Sequence, residues 1–462
     1  LFVAVANCAT LHWAARLGFR RMRFLYFLGL VVSLVACTSF ASPSLDALFG
    51  PADPAQFDVP RSFASAESGS YAQTIQPILD RRCVVCHACY DAPCQLKATS
   101  WEGLARGASK VPVYDGTRLV AARTTRLFED AQKASEWRAR DFFPVLNEHA
   151  DTPEANRTAG LLYRLLALKQ AHPGPTGGVI GNELDFSIDR AASCPKDAQV
   201  DAYERNAPLA GMPFGLPALD EAEHRTLSHW IERGAPYEGR PPLPPLTNQR
   251  IQTWERFFNG DSMKERLFAR YAYEHLFLAH LYFDDDSQRR FLKLVRSSTP
   301  PGQPLRQIAT RRPVDDPGVD RVFYRLVEER ETIVAKTHMP YELSARRMTR
   351  WRELFLEPRY EVKRLPGYGA SAAANPFATF ADLPVGARYR FMLDEAAFTI
   401  AGFIKGPVCR GQMALNVIED QFWVTFLAPA DDYDASTTEF LKQDANLLRL
   451  PTGSSNTDIL IT

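Results

Sequence analysis

Net charge is the first thing this chain of 462 residues lacks: 54 lysines and arginines meet 54 aspartates and glutamates. That balance leaves no basic surface for a phosphate backbone, so nucleic acid is not an expected partner. Cysteine is scarce, eight in all, too few for a disulfide-built scaffold of this length. Long apolar runs are missing as well. The most apolar run, residues 24–36, is about thirteen residues long, short of the roughly 20 that a spanning helix needs. Glycine is modest at 26 against 33 prolines, which favours well-ordered connections. No internal repeat is visible. What is present is a 46% hydrophobic content, enough for two or three domains with real cores.

The apolar run belongs to MRFLYFLGLVVSLVACTSFASPS, which begins at Met22. A basic Arg23, an apolar stretch and then small residues form the layout of an export signal. Two processing outcomes fit it. LVAC at 34–37 has the form of a lipobox, in which Cys37 becomes a lipidated N-terminus; alternatively, cleavage follows Ala41, with Ser39 and Ala41 as the small pair. Both take the mature chain out of the cytoplasm, and the first also anchors it to the membrane. Residues 1–41 are thus expected to be an upstream extension plus signal, and residues 42–70, rich in Ser, Ala and Pro, a tether.

Half of the scarce cysteine falls in RRCVVCHACYDAPCQLK, residues 81–97. Cys83, Cys86 and His87 spell C-x-x-C-H, which a chain of this composition should produce by chance only about 0.003 times. Two thiols three positions apart on one helical turn can each add to a vinyl group of haem, and the adjacent histidine then lies under the iron as its proximal ligand. Three alternatives stand beside haem c. A redox C-x-x-C would be expected near a βαβ pattern. Zinc would need Cys83, Cys86, Cys89 and His87 around one ion, which a short helix does not easily allow. A plain disulfide explains neither spacing nor histidine. Of the cysteines left over (Cys89, Cys94, Cys194 and Cys409), Cys89 with Cys94 is the pairing expected.

Residues 71–87 are expected to be helical, with Ile75, Ile78 and Leu79 on one face. Further helices are expected near 125–138 and 154–171. The stretch GMPFGLPALDEAEHRTLSHWIERGAP, residues 211–236, carries a helix with Asp220 as N-cap, Glu223 completing a capping-box-like pair, an apolar face of Leu227, Trp230 and Ile231, and Gly234 as the stop. A Met-Pro loop followed by such a helix resembles the end of a cytochrome c domain, in which Met212 is the distal thioether ligand to iron. The plain alternative is a methionine filling a core gap. His224, His229, His338 and Met339, the last in THMPYEL, are the other residues that could reach iron.

The expected architecture is therefore mainly α: a cytochrome c-like haem domain with a long insertion over residues 71–239, a Pro-rich linker at 240–250, and an α+β region of open topology over 251–462. Residues 251–283 look like long, aromatic-rich helical structure. Residues 388–411 and 420–429 carry short β-leaning runs. A haem motif alone fits a simple electron carrier. Two features argue for more: well over 100 residues separate the haem motif from the Met-Pro loop, and more than 200 follow the linker.

Several segments together resemble the bacterial fatty acid cis/trans isomerases: YAQTIQPILDRRCVVCHACYDAPCQLK, RYAYEHLFLAHLYFD, HMPYELS and FIKGPVCRGQMALNVIEDQFWVTFLAP. That resemblance implies a periplasmic haem c isomerase that converts cis unsaturated fatty acids to trans without ATP or a soluble cofactor, stiffening the membrane under stress. It implies that Cys83 and Cys86 hold the haem and that His87 binds its iron. It also implies a longer protein, so a C-terminally incomplete product is expected. The partners expected are an unsaturated fatty acid and the membrane surface. An apolar pocket should hold the acyl chain, with aromatics of 254–283 as candidate lining and an Arg or Lys near its mouth for the carboxylate. The alternative reading is a periplasmic electron-transfer or redox-sensing cytochrome.

Overall fold

The computed structural model describes residues 44–60, 70–115, 117–174, 182–187, 193–284, 290–369, 375–402, 405–406, 424–429, 439 and 443. The expected export signal, with Cys37, and also Cys409 lie outside the described residues. The chain divides into two units, residues 1–51 and 52–462. Of the first, the described part is one short helix, Leu45–Phe49. Ser44 caps it by accepting from the Ala47 amide at 3.2 Å, and Gly50, at φ 81°, ends it.

The second unit contains two large apolar cores. The first draws chiefly on residues 57–237 and is built by the helices Gln76–Arg82, Trp101–Arg106, Leu161–Ala171 and Glu221–Glu232. Ile75, Ile78 and Leu79 are buried, as their spacing predicts. Trp101 stacks on Tyr237 with ring centroids 4.9 Å apart. The indole N–H of Trp101 donates to the Ala235 carbonyl and that of Trp230 to the Pro236 carbonyl, both at 2.9 Å, so burial leaves neither unpaired. Within the segment expected as a tether, Pro54–Phe57 form a 3₁₀ turn whose Phe57 ring lies 5.9 Å from Trp101.

The Glu221–Glu232 helix starts as the sequence predicts, with Asp220 accepting from the Glu223 amide at 2.8 Å. The Glu223 side chain does not complete a capping box. It turns to Arg82 at 2.7 Å and Arg81 at 3.2 Å, where two guanidinium partners outcompete one backbone amide. The expected helix over 154–171 is two, Pro153–Ala159 and Leu161–Ala171, because Gly160 between them is extended at φ −74° and ψ 98°. Of 125–138, only Ala134–Arg138 is helical.

The second core is aromatic. Helices Pro245–Phe258 and Met263–Leu276 bring Trp254, Phe257, Phe258 and Phe268 around Trp351, with ring centroids 5.6 to 6.2 Å from its own. Beside them lies a four-stranded mixed sheet of β1 (His280–Phe283), β2 (Leu292–Ser297), β3 (Phe323–Glu328) and β4 (Pro340–Leu343), in the order β3-β2-β1-β4. β1 pairs antiparallel with β2 and β2 with β3, whereas β1 and β4 run parallel, His280 facing Pro340.

The structure is thus helix-rich with a small mixed sheet, which supplies the topology left open for the α+β region. Two local expectations reverse. The helical stretch expected to run to residue 283 ends at Leu276, and His280–Phe283 is a strand, because pairing with β2 and β4 overrides its continuity with the helix. The β-leaning run near 388–401 is helical, as Val385–Asp394 and Ala396–Ala401. Ala387 and Phe391, four residues apart, there share one face and are buried in the aromatic core.

Candidate functional site

Cys83 directly follows the Gln76–Arg82 helix, and Val84–His87 make one more turn. The Cys83 thiol is partly buried, and burial first, then Cys86 and Asp80, push its pKa up to about 12. Cys86 is exposed, and neither thiol is in a disulfide. His87 Nδ1 lies 3.2 Å from the Leu96 carbonyl oxygen. A carbonyl only accepts, so this contact places the ring proton on Nδ1 and leaves the Nε2 lone pair for a metal. Burial lowers the His87 pKa despite that hydrogen bond, which favours the neutral, ligating imidazole.

The remaining described cysteines are oxidised. Cys94 bonds Cys194 across 100 residues, and Cys89 is also disulfide-bonded. The expected Cys89–Cys94 pair therefore does not form: the turn at Pro93–Gln95, with Cys94 at φ 54°, brings Cys94 to a Cα–Cα distance of 5.8 Å from Cys194 instead. Cys89 is thereby unavailable to zinc, and among the described residues no three metal-ligating side chains converge. Two free thiols on one turn beside a carbonyl-oriented imidazole fit a covalently held haem, with Cys83 and Cys86 as attachment points and His87 as ligand.

Met212 is half-buried against the first core, as is Cys83. Its amide donates to the Leu165 carbonyl at 2.9 Å. The preceding Gly211 is pressed onto the Lys169 backbone, where a Cβ would come within 2.4 Å of the amide nitrogen.

A cavity of about 470 Å³, within the range of small-molecule sites, is walled by both halves of the second unit. Ala88 and Tyr90, just past His87, meet Tyr273, Leu294, Ile333 and Met339 there. Met212 is not in this wall. Of the aromatics expected as lining, only Tyr273 and Phe277 reach it; Trp254, Phe257, Phe258 and Phe268 pack in the core, as single aromatics at helical spacing usually do. The segment after β3 fastens the wall to the helix that precedes Cys83. Thr332 donates its amide to the Thr99 carbonyl and its hydroxyl to Asp80, both at 2.8 Å.

Most charges at the cavity are neutralised in pairs. Lys97 meets Glu331 at 2.5 Å, Lys293 meets Glu329 at 2.6 Å, and Arg126 meets Glu129 at 2.9 Å. Burial would raise the Glu331 carboxyl, but Lys97 and Lys293 outweigh it and hold the pKa low. His280 is buried beside them, and burial drives its pKa down to about 4. These residues were not singled out from sequence. The available signal was a charge inside an apolar strand, as with Lys293 and Arg296 in LKLVRS.

The model of the family described as fatty acid cis/trans isomerase matches residues 122–462. The chain belongs to the fatty acid cis/trans isomerase family. No curated protein and no solved structure matches it. Membership makes the chain an isomerase, and the fatty acid its substrate class. The matched span contains the cavity wall from Ala122 onward, including Tyr273, Lys293, Arg296, Glu331 and Met339, and begins beyond the Cys83–His87 motif. For a fatty acid cis/trans isomerase, apolar wall residues such as Ala88, Leu294, Ile333 and Met339 are chemically apt, since the acyl chain and its double bond carry no charge.

Proposed function

We propose that the chain isomerises a cis unsaturated fatty acid held in this cavity, with haem c carried by Cys83, Cys86 and His87, at the periplasmic membrane surface, where trans acyl chains stiffen the bilayer under stress. The observation that carries this reading is that the cavity of an isomerase-family chain is walled by Ala88, the residue next to His87. When bound there, haem supplies an electron-accepting iron that weakens the π component of the double bond. Rotation about a double bond must break its π overlap, so any weakening lowers the barrier. The chain's own residues do the rest. Leu294, Ile333 and Met339 surround the acyl chain, whose burial contributes about 0.8 kcal/mol per methylene. The paired Lys97–Glu331 and Lys293–Glu329 bring no net charge to the cavity.

Two further observations support the setting. A disulfide across 100 residues suits an oxidising compartment, and Cys83 and Cys86 stay free among oxidised neighbours. Leu119 and Val120, 82% and 77% exposed, lie just before the cavity-wall residues Ala122 and Arg123, a placement suited to a lipid surface.

The test is to incubate haem-loaded protein with palmitoleic acid and no electron donor or acceptor. Trans product is expected, and it should vanish in a Cys83→Ala, Cys86→Ala variant lacking Soret absorbance. Trans product from that variant would remove haem from the mechanism. No trans product from the wild type, with rapid reduction by ascorbate, would identify an electron carrier instead.

A further inference from the structure

Among the cations lining the cavity, one is buried without an acid. Arg296, near the end of β2, is 1% exposed. One of its terminal nitrogens donates to the Asp315 main-chain carbonyl at 2.8 Å, and the other to the Thr310 hydroxyl. Its Nε is buried and has no partner. The guanidinium lies 5.5 Å from the Tyr273 ring centroid, and Tyr273 and Thr310 both line the cavity. No carboxylate among the described residues comes within ion-pair distance of it. Glu274, whose ionisation it favours, is engaged by Arg270 at 2.7 Å.

A buried guanidinium that meets only neutral acceptors lacks the counter-charge that burial demands. Its cavity neighbours do not share this state. Lys97, Lys293, Arg126 and Arg312 each have an acidic partner, and Arg123 and Arg311 are exposed to water. Arg106 is also buried without an acid. Its Nε, too, has no partner, but Arg106 itself does not line the cavity: its terminal nitrogens donate to the Thr125 and Gln95 main-chain carbonyls, and its guanidinium lies against the rings of Trp137 and Phe142. The missing partner of Arg296 is therefore an anion that enters the cavity. In a site for an acyl chain, the group with that charge and a planar, fork-matching shape is a carboxylate.

We infer that Arg296 is the carboxylate anchor of the fatty acid. This rests on the isomerase reading of the cavity and deepens it: the substrate is the free acid, held head-first against Arg296, with its chain among the apolar wall residues. An ester has no charge to give Arg296 and leaves the guanidinium uncompensated. The anchor is thus buried in the wall, not at the mouth.

The test uses haem-loaded full chain and saturated ligands, so binding is read without turnover. Palmitate and methyl palmitate are titrated by isothermal calorimetry. Wild type should prefer the acid at least tenfold. Arg296→Gln should bring the two to similar affinity, mainly by weakening the acid, whereas Arg225→Gln, at an exposed arginine that does not line the cavity, should leave the preference intact. Arg296→Lys, which retains charge without the fork, should keep a reduced preference and guards against misfolding of the glutamine variant. Equal affinity of wild type for acid and ester would overturn the assignment, as would an undiminished preference in folded Arg296→Gln. Acid preference without any trans product from palmitoleate would instead sink the isomerase reading while leaving the anchor standing.

Discussion

His280 and Met339 hold each other at two points: the His280 amide donates to the Met339 carbonyl at 2.8 Å, and the Met339 amide donates to His280 Nδ1 at 3.1 Å. The first bond belongs to the parallel pairing of β1 and β4; the second fixes the ring. An amide can only donate, so Nδ1 must remain unprotonated and the neutral ring keeps its hydrogen on Nε2. Both residues line the cavity, so this grip sets part of its wall.

A pH dependence follows. Burial depresses the His280 pKa from 6.5 to about 4; Lys293 and His338 add to the depression and Glu329 opposes it. Between those values the unfolded chain binds the extra proton and the folded chain does not. The stabilisation is complete above pH 6.5 and is lost progressively as pH falls toward 4, about 3 kcal/mol in all. His280→Asn keeps an acceptor near the Met339 amide but cannot titrate. Urea unfolding at pH 6.5 and 5 should show the wild type losing about 2 kcal/mol more than the variant. Parallel losses in the two proteins would mean that the ring is not held neutral.

The Cys94–Cys194 bond closes a loop with a sequence separation of 100. A link of that span restricts the unfolded chain strongly, and its loss should destabilise the protein by about 4 kcal/mol. The Cys94→Ala, Cys194→Ala double variant should therefore melt at a lower temperature while keeping the Soret band of the proposed haem, since the proposed attachment uses Cys83 and Cys86 and neither of the bonded cysteines. An unchanged melting temperature would show that the span is already restrained without the bond. Loss of the Soret band would show that the bond positions the attachment turn.

What the sequence revealed was chiefly what is local. Cys83, Cys86 and His87 declare themselves by spacing on one turn, and the Asp220 cap, the Leu227–Trp230–Ile231 face and the Gly234 stop are all contained in one helix. The strand His280–Phe283 was hidden because its partners, β2 and β4, lie beyond it in the chain. The helix Val385–Asp394 was hidden because its aromatic residues favour strands until Ala387 and Phe391 find a core to share. The cavity was the least legible part. Its wall joins Ala88 to Met339, and the uncompensated charge of Arg296 exists only once Glu274 is seen to be spent on Arg270.

The exposed pair Leu119 and Val120 yields the last prediction. Their side chains are 82% and 77% exposed, and Val111 and Tyr114 nearby are also exposed. Exposed Lys110 and Arg123 flank this stretch, and Tyr114, Ala122 and Arg123 continue into the cavity wall. Apolar tips among basic residues suit an anionic bilayer: each buried aliphatic side chain adds about 2 kcal/mol and each basic residue near the surface about 1 kcal/mol. Leu119→Asp with Val120→Asp should reduce co-sedimentation with vesicles containing anionic phospholipid by at least tenfold, and raising the salt should weaken the wild type as well. Palmitate affinity in free solution should not change, because neither side chain lines the cavity. If the double variant binds vesicles as wild type does, these residues do not meet the membrane. If it loses palmitate as well, the stretch supports the cavity wall and is not a separate lipid contact.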